Sequence, residues 1–142
     1  MTKETTKGFN FNKAFQSDPD KEVMGGWTTL KVGGDEMQIK LARTGNANSQ
    51  NLLRTLLKEN ERALEPNDDE ANKLFLELTK EVMAKYIVID WKDVLVDGKK
   101  FPHSESNCLI LLEYVDFYRA VERAAGDFNV FRAKVNDKIL KN

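Results

Sequence analysis

Apolar residues recur along this chain at two different spacings, and each predicts a different element. Between Thr29 and Leu41 the period is two. Leu30 and Val32 alternate with Thr29 and Lys31; Met37, Ile39 and Leu41 alternate with Gln38 and Lys40. Such alternation puts one face of each strand on a core and leaves the other free for water. Gly33-Gly34-Asp35 between the runs can take the positive φ of a tight turn. Residues 27–42 therefore read as a β-hairpin.

Past residue 50 the period lengthens to three or four, the spacing of one helix face. Leu53, Leu56, Leu57 and Leu64 form a stripe from about Gln50 to Leu64, ended by Pro66. Asn67 followed by Glu70 has the spacing of a capping box, and Asp68-Asp69 suit the positive end of the helix dipole. Ala71, Leu74, Phe75, Leu78, Val82, Tyr86 and Ile89 continue as a second helix. Ile87-Val88-Ile89 is β-branched and has strand character, but the helical register runs through it. Asp97-Gly98 marks a turn. Pro102 biases Phe101 away from helical backbone, and Ser104 caps a third helix through Leu112. Tyr114, Phe117, Tyr118, Val121, Ala125 and Phe128 extend the helical stripe, with a break expected at Gly126-Asp127. Phe131, Val135 and Ile139 carry it to the end, where Lys138 and Lys141 suit a helix C-terminus.

Residues 1–26 are polar apart from Phe9, Phe11, Phe15, Val23 and Met24, and Gly25-Gly26 closes them. A partly loose arm is expected, with Phe9 to Phe15 docked on the body as a short helix. The whole reads as one α+β domain over residues 1–142. It is predominantly α-helical, with an N-terminal β-hairpin (27–42) packed on about four helices in a helical body (50–142).

Composition sharpens this. A chain of 142 residues can bury roughly two thirds of its unfolded surface and needs no metal or disulfide to fold. Charged residues make up 32%, but 22 Lys+Arg and 23 Asp+Glu nearly cancel. No net field draws the chain to nucleic acid or anionic lipid, so neither is an expected partner. A single cysteine excludes an internal disulfide and fits a reducing compartment. With no apolar run near 18 residues and no signal-peptide pattern, the cytoplasm of the cell that makes it is the expected location.

Catalytic equipment is hard to find. His103 is the lone histidine, and zinc sites draw on several His or Cys ligands; neither metal nor cofactor is expected. Cys108 lies on an apolar helix face, where a buried thiol is the default. A Cys108–His103 nucleophile pair lacks an orienting third group. Asp93 and Asp97 do not make a calcium loop, because Leu95 and Ser104 fall where oxygen ligands and a bidentate Glu belong. Gly33-Gly34 lacks the Gly-Lys-Ser/Thr of a phosphate loop. Asp68-Asp69-Glu70 is accounted for as a solvated helix start. Arg132, Lys134, Lys138 and Lys141 are too interrupted by apolar positions to form a nucleic-acid stripe. The chain reads as a non-enzyme. The aromatic group Tyr114, Phe117, Tyr118, Phe128 and Phe131 reads first as core, with a groove or patch for an amphipathic partner helix as the alternative.

Phe11-Asn12-Lys13, Ser17-Asp18, Gly26-Trp27, the hairpin and Lys40-Leu41-Ala42-Arg43-Thr44-Gly45-Asn46 come in a characteristic order. So do the Trp91-to-Ser104 turn, the leucine-rich helix after it and Ala125-Gly126-Asp127-Phe128. Over about residues 9–131 the chain resembles the tail assembly chaperones of long-tailed bacteriophages. It departs from them at Asn48-Ser49-Gln50, where relatives often carry an aromatic. The resemblance implies a protein that binds the tape-measure protein and keeps it soluble until the tail tube polymerises around it. It also implies self-association, and absence from the mature virion. A longer frameshifted form would recruit the tail tube protein. This chain would be the short form, and Lys141-Asn142 is compatible with a run of adenines at which ribosomes slip. The five aromatics are the expected partner-binding residues. The main rival is a structural tail or head–tail connector subunit retained in the virion; a small hydrolase or nuclease and a helix-binding adaptor are the others.

Overall fold

The computed structural model of the chain describes residues 7–133. The expected hairpin is β1 (Gly26–Val32) and β2 (Asp35–Leu41), antiparallel, with Leu30 opposite Met37 and Val32 opposite Asp35. Gly33 turns the chain at φ +63°, a conformation that glycine adopts without a Cβ clash. Leu30, Ile39 and Leu41 enter the core from one face.

A third strand corrects the sequence reading. The helix expected to run through Ile89 stops at Tyr86, and β3 (Val88–Lys92) pairs antiparallel with β2, Ile39 opposite Trp91. Two forces override the helical period there. β2 offers a free edge of unpaired amides, and the β-branched run favours extended backbone. The sheet order is β1-β2-β3, with a bulge at Lys40/Leu41.

The arm holds two short helices, α1 (Phe11–Ala14) and α2 (Pro19–Met24), the second unexpected and capped by Asp18. It is tied down between them and beyond. The Asp18 amide donates to the Phe131 carbonyl at 2.8 Å, Ala133 N to Gln16 O at 3.0 Å, and Arg43 N to Glu22 O at 2.9 Å.

Next comes α3 (Ala47–Glu59), which starts earlier than expected because Asn46 caps it. The Asn46 Oδ1 accepts from Ser49 N at 3.0 Å, while its Nδ2 donates to the carbonyls of Arg43 (2.8 Å) and Tyr86 (3.2 Å). One amide thus joins the start of α3 to the end of the following long helix. A break at Asn60 separates α4 (Glu61–Leu64), so the single expected segment is two. The long helix is α5 (Asp69–Tyr86). Its cap is Asp68, which accepts from Ala71 N at 2.9 Å; Asn67, expected in that role, sits at φ +52°.

Asp97 and Gly98, at φ +52° and +76°, form the turn of a ribbon, β4 (Leu95–Val96) with β5 (Lys99–Lys100). As expected, Ser104 caps α6 (Glu105–Leu112), accepting from Asn107 N at 3.0 Å. The chain continues as α7 (Val115–Ala125), breaks at Gly126, and closes with a 3-10 turn, Phe128–Phe131. The core lies between one face of the sheet, the second half of α5, and α6 and α7. Ile39, Leu41, Val88, Cys108, Leu112 and Val121 are its most enclosed members. The α+β class holds, with helix predominant among the described residues. The expected run through Val135 and Ile139, with Lys134, Lys138 and Lys141, lies outside them.

Candidate partner-binding surface

The five aromatics expected to meet a partner do not share one environment. Phe131 is fully buried, under the Arg43 guanidinium at 5.8 Å from its ring centre. Its expected part in a surface is therefore corrected. The reason lies far away in sequence: its carbonyl accepts from the Asp18 amide of the arm, which holds the turn in place. Phe117 and Tyr118 are half-buried against the core. Burial pushes the Tyr118 phenol above its ordinary pKa, Glu122 adding to this and Lys80 opposing it. Tyr114, just before α7, is 66% exposed. Phe128 is half-buried and stacks on Phe15 with ring centres 5.5 Å apart.

The Phe15–Phe128 stack opens onto a larger group. Phe15 also meets Phe11 at 4.9 Å and Phe9 at 5.9 Å between ring centres. Phe9 and Phe11 remain 72% and 64% exposed. Of the arm phenylalanines expected to dock on the body, Phe15 does so, and the others build outward from it. Neither α1 nor α2 buries a residue. A second exposed apolar group, Ile110, Tyr114 and Val115, lies at the junction of α6 and α7. Sequence reading missed Ile110 and Val115, since both fit a core stripe by spacing alone.

Between α3, α5 and α7 a cavity of about 300 Å3 opens at the surface. Leu53, Val82, Met83 and Ile87 supply its apolar wall, with Gln50, Thr79 and Glu122 among its polar lining. Apolar spacing carries no sign of it, because it depends on how far α3 stands from α5.

The groups weighed for chemistry are engaged in the fold. His103 Nε2 lies 3.1 Å from the Val88 carbonyl oxygen, its ring edge-on to Trp91. The buried Cys108 thiol is pushed up to about 12, chiefly by desolvation and further by Glu105. A thiol so placed is almost wholly protonated at neutral pH. Among the described residues no three His, Cys, Asp or Glu side chains gather where they could hold a metal ion. No helix among them is long and apolar enough to cross a membrane.

An α+β body with exposed aromatic groups belongs here to a phage-derived protein. The chain is a member of the YdaY prophage protein family, whose model matches residues 34–142. The match begins in the hairpin turn and takes in the cavity and α3 to α7; the arm precedes it. No curated protein and no solved structure matches the chain.

Proposed function

We propose that this prophage protein is a tail assembly chaperone that binds the tape-measure protein and keeps it soluble until the tail tube polymerises around it. The observation that carries the reading is the pair of exposed apolar groups, Phe9-Phe11-Phe15 on the arm, stacked against Phe128, and Ile110-Tyr114-Val115 at the α6–α7 junction. Large apolar side chains left in water mark interaction surfaces. The resemblance to tail assembly chaperones, and membership of a prophage family, support the choice of partner.

A tape measure is a long helical chain, and its apolar stripe in water is an aggregation hazard. Two small patches suit transient cover, since many weak contacts hold a rod yet yield to incoming tube subunits. Several copies side by side would coat such a rod, so the chaperone self-associates. It works without catalysis in the host cytoplasm and is absent from the mature virion. A longer frameshifted form brings in the tail tube protein.

The test is co-expression with a tape-measure protein. The chaperone should move that protein into the soluble fraction and co-purify with it. Phe11→Ser, Phe15→Ser and Tyr114→Ser should reduce the yield while leaving the circular dichroism spectrum unchanged. A tape measure equally soluble without the chaperone, or abundant copies of this chain in purified particles, overturns the reading. The second result would favour a structural tail or connector subunit.

A further inference from the structure

We infer that the cavity between α3, α5 and α7 is an anchor pocket for an amphipathic, lysine-bearing helix, one apolar side chain of which inserts beside Glu122. This deepens the chaperone reading and rests on it only for the identity of that helix, a segment of the tape measure.

Three independent features support the occupant. First, α3 carries an apolar stripe that the fold leaves unfinished. Leu52, Leu53, Leu56 and Leu57 are only partly buried, none belongs to the core cluster, and the only buried residue of α3 is Ser49. On α5, Phe75 and Leu76 are likewise exposed. The Asn46–Tyr86 hydrogen bond sets the start of α3 beside the end of α5, so the two run antiparallel. At 1.5 Å per residue, a helix the length of α3 offers about 20 Å of groove, three to four turns of a partner.

Second, the cavity lies at the Asn46–Tyr86 end of that groove, with an apolar wall from Leu53, Val82, Met83 and Ile87. Its volume of about 300 Å3 is at the bottom of the range for small-ligand pockets, roughly 300–1,000 Å3. That suits one or two inserted side chains better than a cofactor.

Third, the one charged side chain that lines the cavity is anionic. Glu122 lines the cavity and has no ion-pair partner among the described residues, where the ion pairs engage Glu22, Glu77 and Glu113. Tyr114, Tyr118 and Glu122 stand four residues apart along α7 and so share a face. A cation one turn from the anchoring side chain would meet Glu122.

Fluorescence anisotropy on the full chain tests this. The probes are two labelled synthetic helices with the same leucine face, one flanked by lysines and its twin by glutamates. Wild type should prefer the lysine helix. Glu122→Lys, at an exposed position, should weaken that helix about fivefold at low salt and favour the glutamate twin. Gln50→Trp, also exposed, should fill the mouth and reduce binding of both helices. Phe15→Ser on the arm should leave both unchanged. The pocket assignment falls if wild type binds neither helix, or if Glu122→Lys and Gln50→Trp bind as wild type does. It also falls if only the arm variant loses binding. Solubility of the co-expressed tape measure is read separately. A tape measure kept soluble by both pocket variants sinks the pocket and spares the chaperone. Probe binding sensitive to Glu122, with a tape measure that needs no help, does the reverse.

Discussion

The indole Nε1 of Trp91 donates a 2.7 Å hydrogen bond to the carbonyl oxygen of Phe101, and the two rings lie nearly parallel at 6° with centres 6.3 Å apart. Trp91 is on β3, buried against the core; Phe101 follows the β4–β5 ribbon and leads into α6. One side chain therefore closes the loop between sheet and helices. Trp91→Phe would keep much of the apolar area but leave that carbonyl without its donor. The expected loss is about 1–3 kcal/mol. Urea unfolding should show a lower midpoint with an unchanged slope.

Asn46 supports a second prediction. Its oxygen caps α3, and its amide nitrogen serves the carbonyls of Arg43 and Tyr86. Losing a cap alone costs about 1 kcal/mol, and leaving the Tyr86 carbonyl without this donor adds to that. Asn46→Ala should therefore destabilise by about 2–3 kcal/mol. Asn46→Asp separates the two roles, because a carboxylate caps well but cannot donate. Thermal unfolding should place the aspartate variant well below wild type; equality would mean that the carbonyl contacts carry no weight.

The residues that signalled their own structure were those whose signal is local. The hairpin, the Asp97-Gly98 turn, the Ser104 cap and the break at Gly126 each depend on a few neighbouring residues. The misreadings involve distant partners. Ile87-Val88-Ile89 becomes strand at its second residue because β2 has an open edge, which lies far away in sequence. Phe131 and Tyr114 have similar chemistry and equal claims to the helical stripe. The docked arm buries one, and the helix junction exposes the other. The cavity was illegible for the same reason, since its wall joins α3 to the far end of α5.

Two glycines should respond oppositely to a methyl group. Gly25 sits at φ +99°, and a Cβ there would lie 3.0 Å from Lys40 Cγ and 3.1 Å from Ile89 Cγ1. Gly34 has no positive φ to maintain, and a Cβ would meet nothing within 4 Å. Gly25→Ala should cost about 1–3 kcal/mol through backbone strain and crowding at the sheet. Gly34→Ala should be neutral or stabilise slightly, by restricting the unfolded chain. Paired denaturation curves decide it, and similar midpoints for the two variants would count against this account of the arm–sheet join.

Cys108 gives the chain a pH dependence with a definite sign. The folded thiol holds its proton up to about 12, chiefly because burial penalises the thiolate, against an ordinary value of 9.0. Below pH 9 the thiol is protonated in both states, and its contribution to stability is fully present. As pH rises between those two values the unfolded chain releases the proton and the folded chain keeps it. Stability then falls, by at most about 1.4 kcal/mol per pH unit from this group. Tyr118 also titrates in the alkaline range, so the informative quantity is the difference between wild type and Cys108→Ala. The alanine variant should start lower at pH 8, because it leaves a small void beside Leu112 and Val121 in the core cluster. The gap should then narrow steadily from pH 9 upward as wild type loses its advantage. A thiol-specific reagent gives an independent reading at pH 8, where labelling of the native protein should proceed only at the rate at which the fold opens. Rapid labelling of the folded chain would mean that the thiol is reachable and the desolvation argument wrong.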